Sequence, residues 1–348
     1  MSSGRKLNIL ISTLLLALFL YLAFRNVNLE ELGNILKNTN YFYVFIGMFV
    51  GVVGGSVIRA YRWRVLLEPV KKDIPFKSLF ATTVIGYMVN NLIPRSGEVL
   101  RPFLLGKHEN ISRSAAFATI IVERIIDTVM FLIMFPIALL YFHNRITNAI
   151  PEIATAVIIL SALTLVLVGW IVFTIFKTEQ SLKIFKIFTK ILPKKIHEKA
   201  DNIFISLVSG FDVLKKPVLL FKIAGYSALL WIAYLISTFI PFYSFGIFVN
   251  DDMSFLKMIW DTNLLLVLIN VAMFVPVPAA TGPYHYVCKV ALVSIFAVSE
   301  SKALGYATAT HAMSFLIFLV LGLYYFITSQ YKLSEIKEGN AKTVGESQ

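Results

Sequence analysis

Long apolar runs separated by short polar breaks dominate the chain, and they predict helices that cross a bilayer. The runs 7–24, 41–58, 115–142, 153–176, 218–248 and 303–328 are each long enough to cover about 30 Å of hydrocarbon as helix. Two further regions behave differently. Residues 78–89 supply only a short apolar arm before Asn90-Asn91-Leu92-Ile93-Pro94-Arg95-Ser96-Gly97-Glu98-Val99-Leu100-Arg101, and 99–105 supply another after the break. Neither arm can cross alone, so this region predicts a re-entrant hairpin whose polar, helix-breaking tip is buried in protein or lines a cavity. Residues 255–275, a break at Pro276-Val277-Pro278-Ala279-Ala280-Thr281-Gly282-Pro283, and 284–298 repeat that plan. The first arm there is long enough to cross, so a second hairpin and a pair of full crossings both stay open.

The basic loops set an orientation. Residues 59–77 carry six Lys and Arg and residues 177–217 carry nine, all lysine, whereas 25–40, 143–152 and 250–254 carry two, one and none. The first two segments are therefore read as cytoplasmic. With the hairpins entering from opposite faces, both termini become cytoplasmic. The expected fold is an all-α polytopic membrane protein, a single domain over 1–348, with about six full spans plus two hairpins, or about eight spans. The halves 1–142 and 153–328 would then be inverted repeats, followed by a tail at 329–348. A faint echo accompanies this: Pro94-Arg95-Ser96-Gly97-Glu98 against Pro278-Ala279-Ala280-Thr281-Gly282, and Ser112 to Ala115 against Ser299 to Ala303. Extending from Ala115 and Ala303 sets Glu123 opposite His311. Inverted repeats with broken helices meeting at mid-membrane are a recurring transporter plan.

Composition agrees with this reading. The chain is 57% hydrophobic and only 15% charged, with a mean hydropathy of +0.76, against about 25% charged residues in a soluble domain. The net charge of +12 sits in a few inter-span loops, which points to anionic lipid headgroups rather than nucleic acid. The only cysteine, Cys288, excludes an internal disulfide and any Cys-x-x-Cys motif. Arg5 and Lys6 precede the first run, but no Ala-x-Ala cleavage site follows, so it is read as an uncleaved span. Residues 181–192 place Lys183, Lys186 and Lys190 at helical spacing among Ile and Phe, a basic amphipathic helix suited to the interface.

Candidate chemistry lies where ionisable residues interrupt apolar segments, because such residues are costly in lipid and face a cavity or one another. Glu123, Arg124 and Asp127 fall about 12–18 Å along the helix that starts near Ala115, with Glu123 and Asp127 on one face. Internal pairing, Arg124 with Glu98 or Glu123 with Arg95, would lock this helix to the hairpin. Arg95, Glu98 and Arg101 recur every third residue along a short helix after Pro94. Its N-terminus at Arg95, Ser96 and Gly97 would suit a phosphate. Arg59, Arg62 and Arg64 surround Tyr61 and Trp63 as a basic anchor with interfacial aromatics, and Arg59 and Arg62 share a face that can reach a lipid phosphate. His285 follows the second tip and His311 lies in the last span, where hydrogen-bonded packing is the simpler role and proton coupling the sharper one. These ligands are too few for a metal site. No nucleophile elbow, P-loop or metalloprotease motif is present.

The order Arg59-Ala60-Tyr61-Arg62-Trp63, then Asn90 to Arg101, then Glu123-Arg124-Ile125-Ile126-Asp127 resembles the membrane domain of the lysylphosphatidylglycerol synthase/flippase family and its stand-alone flippase-like members. The likeness covers nearly the whole chain. It implies a lipid-translocating domain, since in the bifunctional relatives this part is held to move aminoacylated phosphatidylglycerol between leaflets. The relatives' soluble aminoacyl-transfer domain is missing from the sequence, so synthase activity is not carried over. The second tip departs from the family's Pro-Gly-Gly-x-Gly-x-x-Glu: Ala279 and Ala280 stand in place of glycines and His285 in place of the acid.

The leading expectation is a non-enzymatic flippase for an anionic phospholipid or a polyisoprenyl-phosphate-linked lipid. Arg95, Arg101 and Arg124 would bind phosphate while Glu98, Glu123 and Asp127 position them. The wider substrate-binding set takes in Arg59, Arg62, Asn90, Asn91, Ser96, Gly97, His285 and His311. No catalytic residue and no cofactor is expected, and homo-oligomerisation stays open. The expected location is a cell membrane of the bacterial inner-membrane type. Two rivals are an intramembrane lipid-modifying enzyme using Glu123 or Asp127 with His285 or His311, and a non-catalytic membrane partner of a glycosyltransferase.

Overall fold

The structure is a computed structural model, and it describes residues 3–141, 154–189, 193, 214–247 and 254–329. Its first half contains α1 (Ser3–Phe24), α2 (Leu29–Asn38), α3 (Tyr41–Leu67), α4 (Phe76–Leu92), α5 (Ser96–His108) and α6 (Arg113–Tyr141). The second contains α7 (Ala154–Phe176), α8 (Thr178–Thr189), α9 (Pro217–Phe245), α10 (Phe255–Ala272), α11 (Pro283–Phe296) and α12 (Glu300–Thr328). No strand occurs among the described residues. The two series share one order: long helix, short helix, long helix, two hairpin arms, long helix. Their matched lengths are 22 and 23, 10 and 12, 27 and 29, 17 and 18, 13 and 14, and 29 and 29 residues.

Among the described residues, four helices are long and apolar enough to cross a membrane: α3, α9, α10 and α12. The apolar part of α1 and α2 counts as a fifth if the pair, bent by 87°, is taken as one span. The expected run 115–142 appears as α6, a continuous 29-residue helix whose apolar run carries the three charges Glu123, Arg124 and Asp127. The predicted loop 25–40 instead holds α2, because Asn28 caps it by accepting from the amides of Glu30 and Glu31 and satisfies two of the orphan donors at its start. The basic helix expected at 181–192 begins earlier, at Thr178, and 190–192 lie outside the described residues, as do most of the loop up to 213 and the tail from 330. Large apolar side chains face outward on many helices, among them Leu163, Val166, Phe221, Val320 and Ile327, each at least 60% exposed. A water-facing surface would not carry so many, whereas lipid tails solvate them.

The first hairpin is more helical than its apolar count suggests. The sequence predicts a polar, helix-breaking insertion at Asn90 to Arg101 with a short helix after Pro94, and that helix is α5. The break is confined to Ile93, Pro94 and Arg95, with Asn90 and Asn91 in the last turn of α4 and Ser96 to Arg101 opening α5. Polar residues extend both arms because they satisfy one another: the Gly97 amide donates to Asn90 Oδ1 at 2.6 Å, and Ser96 Oγ donates to the Ile93 carbonyl. Arg95 supplies the reversal with φ of 62°.

Two compact units make up the chain. The first comprises Met1–Arg59, Phe80–Leu104 and Leu230–Gln348; the second comprises Ala60–Leu79 and Leu105–Leu229. In the first unit, Val44, Phe242, Leu265, Cys288, Leu292 and Tyr306 form a core shared by α3, α9, α10, α11 and α12. Ile85, Met88, Leu100 and Leu104 of the first hairpin pack with Leu319 and Tyr325 of α12. Lys289, only 6% exposed, fastens α11 to the end of α1, donating to the Arg25 carbonyl at 3.0 Å and pairing with Glu300 at 2.9 Å. In the second unit α6 packs along α7, and Trp63, fully buried on α3, donates its indole N–H to Thr119 Oγ1 of α6 at 2.9 Å.

Candidate functional site

The first unit gathers two buried arginines around one tyrosine. Arg101 projects from α5 and is 3% exposed; its Nη2 donates to Thr83 Oγ1 of α4 at 3.2 Å, and its guanidinium carbon lies 5.8 Å from the Tyr87 ring centre. Arg59 of α3 is also buried; its Nε donates to Tyr234 Oη of α9 at 3.0 Å, and its guanidinium lies 5.7 Å from the same Tyr87 ring. Cation–π attraction to the ring offsets part of the desolvation of each charge. The Tyr87 hydroxyl is itself buried and has no hydrogen-bond partner among the described residues. An unused buried donor costs roughly 1–3 kcal/mol, so it marks a position prepared for an acceptor. Two guanidinium groups over the ring of a tyrosine whose O–H is unfilled make a suitable environment for a phosphate oxygen.

The geometry of this site depends on two glycines. Gly86 on α4 and Gly97 on α5 let the hairpin backbones touch, and a methyl group on Gly86 would strike the Arg101 side chain. Arg101 therefore runs over a bare patch of α4 to reach Thr83.

In the second unit the α6 charges are committed to one another and to α3. Arg62, fully buried, places Nη2 at 2.6 Å from Asp127 Oδ1 and 3.9 Å from Glu123 Oε1, and Nη1 donates to Ser227 Oγ of α9 at 3.0 Å. Arg124 bridges the same two carboxylates, at 2.6 Å to Glu123 and 3.1 Å to Asp127. Two arginines and two acids thus meet in one ion cluster, with Arg62 and Glu123 buried and Arg124 and Asp127 partly exposed, and such charges in lipid face one another.

The second tip is held by histidines. His285, at the third position of α11, accepts from the Gly282 amide through Nδ1 at 3.4 Å, while His311 of α12 donates Nε2 to the Ala279 carbonyl at 2.8 Å. The rings stand 4.8 Å apart. Ala279 and Ala280 have φ of 50° and 54°, and Gly282 has 93°. The tip therefore keeps a left-handed backbone even where this chain carries alanine.

Of the residues expected from sequence, Arg59, Arg101, Asn90, Ser96 and Gly97 come together at the first hairpin. Arg62, Glu123, Arg124 and Asp127 form the ion cluster, and His285 and His311 brace the second tip. Arg95 is exposed and Glu98 half-buried, and neither makes an ion pair among the described residues; the Arg124 carried by α6 uses Glu123 and Asp127. Asn91 is half-buried beside the tip. Tyr87, Thr83 and Tyr234 carry no signal in the sequence because each is an ordinary residue of an apolar helix. Asp261, fully buried on α10 and 3.4 Å from Lys257, does carry one, an acid within an apolar run. No set of three or more His, Cys, Asp or Glu side chains is arranged to hold a metal among the described residues.

Comparison with known proteins places these features in a family. A UPF0104 membrane protein of Methanocaldococcus jannaschii is 32% identical over 143 residues, which is 39% of this chain and 42% of that protein. One from Pyrococcus horikoshii is 27% identical over 284 residues, 76% of this chain and 81% of the relative. A third, from Methanothermobacter thermautotrophicus, is 28% identical over 240 residues, 62% and 65% of the two chains. The chain thus spans less than half of the first relative's length and just under two thirds of the third's. Residues 9–322, which hold both hairpins, the buried arginines and the ion cluster, match the description "Lysylphosphatidylglycerol synthase TM region", and the protein belongs to that family of integral membrane proteins.

Proposed function

We propose that the protein moves a phosphate-bearing lipid, an anionic phospholipid or a polyisoprenyl-phosphate-linked lipid, between membrane leaflets, with Arg59, Arg101 and Tyr87 receiving the phosphate. The observation that carries this reading is the buried hydroxyl of Tyr87, unpartnered among the described residues, on a ring whose centre two buried guanidinium groups approach to 5.7 and 5.8 Å. Arg95, exposed at the hairpin turn, meets the headgroup first. The six-element order of the two halves supports an inverted repeat, with both termini on the cytoplasmic side and the two hairpins entering from opposite faces. The second arm of each hairpin, 13 and 14 residues or about 20 Å of helix, is too short to cross and suits re-entry, while the first arm of the second hairpin, α10, is long enough to span.

Transport is favoured over lipid modification because Glu123 and Asp127, the acids an enzyme would use as base, are engaged by Arg62 and Arg124. Purified protein in liposomes bearing a headgroup-labelled lipid separates the readings. Label that becomes accessible to an impermeant reagent on a chemically unchanged lipid supports transport. A changed lipid supports an enzyme, and neither result supports a non-catalytic partner.

A further inference from the structure

The second unit carries a basic-aromatic groove that neither the ion cluster nor the proposed transport site uses. It is about 450 Å³ in volume and is lined by Tyr61, Arg64 and Val65 of α3 and by Phe221, Lys222 and Tyr226 of α9. Tyr61 and Tyr226 lie nearly parallel, 9° apart with ring centres separated by 6.1 Å, and Phe76 stacks on Tyr61 at 4.6 Å. Gly225 opens the wall, since a side chain there would meet nothing within 4 Å.

Arg64 and Lys222 are both exposed and make no ion pair or hydrogen bond among the described residues. Glu68, one turn beyond Arg64, does not pair with it. Two cations, unpartnered among the described residues, lining one groove with Tyr61, Tyr226, Phe221, 77% exposed, and Leu229, 50% exposed, complement one kind of occupant. That occupant has a negative headgroup for the cations, a glycerol region for the phenol rings and a hydrocarbon tail for Phe221 and Leu229. Free phosphate satisfies the cations alone. The groove also lies toward the ends of α3 and α9 that join the two segments richest in Lys and Arg, where anionic lipid of the cytoplasmic leaflet gathers.

We infer that this groove is a binding site for an anionic phospholipid of the cytoplasmic leaflet, with Arg64 and Lys222 on its phosphate and the Tyr61–Tyr226 pair against its backbone. The site does not depend on the transport reading: it holds a resident lipid whether or not lipid crosses the membrane elsewhere.

A Gly225→Cys variant carrying a bimane fluorophore tests this, because the native Cys288 is buried and position 225 is open. In liposomes of phosphatidylcholine with a minor fraction of brominated phosphatidylglycerol, quenching at residue 225 should exceed that by the same fraction of brominated phosphatidylcholine by about fivefold. Arg64→Gln with Lys222→Gln should abolish the preference while quenching at a Leu163→Cys control on α7 stays unchanged, which also reports that the variant is folded. Equal quenching by the two lipids, a preference that survives the double substitution, or relief of quenching by millimolar inorganic phosphate would overturn the proposal.

Discussion

Gly86 and Gly97 lie backbone to backbone across the first hairpin: a Cβ built on Gly97 would stand 2.6 Å from the Gly86 carbonyl carbon and 2.9 Å from Asn90 Oδ1. No side-chain rotation relieves a clash with backbone, so Gly97→Ala must push the arms apart. The expected cost is about 3 kcal/mol, seen as a lowered melting temperature in detergent. Gly33→Ala on α2, where an added methyl meets nothing, should raise the melting temperature slightly through helix propensity, by about 0.5–1 kcal/mol. Equal behaviour of the two variants would refute the close approach.

The second tip predicts the opposite sign. Ala279 and Ala280 occupy left-handed conformations that cost a residue with a Cβ about 1–2 kcal/mol. Replacing either with glycine relieves that strain but adds freedom to the unfolded chain. The net expectation is a gain of about 0.5 kcal/mol for each, read as a higher melting temperature for Ala280→Gly. A loss of stability would mean that the tip does not hold this backbone.

Arg62 and Asp127 form the closest pair across the ion cluster, so removing one member should be worse than removing both. Arg62→Met takes the buried guanidinium from Asp127 and Glu123 and should cost about 3 kcal/mol, whereas Arg62→Met with Asp127→Leu should recover most of it. A double-mutant cycle on thermal unfolding measures the coupling. Additive losses would show that the 2.6 Å contact is not energetically real.

Much of this architecture was legible before the fold was known, for reasons specific to membranes. Apolar runs have only one way to satisfy their backbone in lipid, so the helices at 41–58 and 303–328 followed from hydropathy, and the breaks at Pro94 and at Pro276 to Pro283 marked the two helix reversals. Charges in lipid advertise themselves, so Glu123, Arg124 and Asp127 stand out in the sequence, whereas Arg62, which the sequence suggests as an anchor or a phosphate ligand, pairs with them instead. Helix ends were misjudged where polar residues cap one another, as Asn90 does for Gly97. Tyr87 was invisible for a different reason. What singles it out is an unpartnered oxygen, and only the placement of Arg59 from α3 and Arg101 from α5 beside it reveals that.

The most direct test of the account uses Tyr87→Phe in a leaflet-exchange assay with headgroup-labelled phosphatidylglycerol or polyisoprenyl phosphate in liposomes. The hydroxyl has no partner among the described residues, so its removal should leave the melting temperature unchanged or slightly raised. If it receives the lipid phosphate, exchange should fall by about tenfold, the worth of one hydrogen bond to a charged group. Arg101→Gln should lower exchange at least as far. Exchange at the unsubstituted rate by a folded Tyr87→Phe protein would contradict the proposed site.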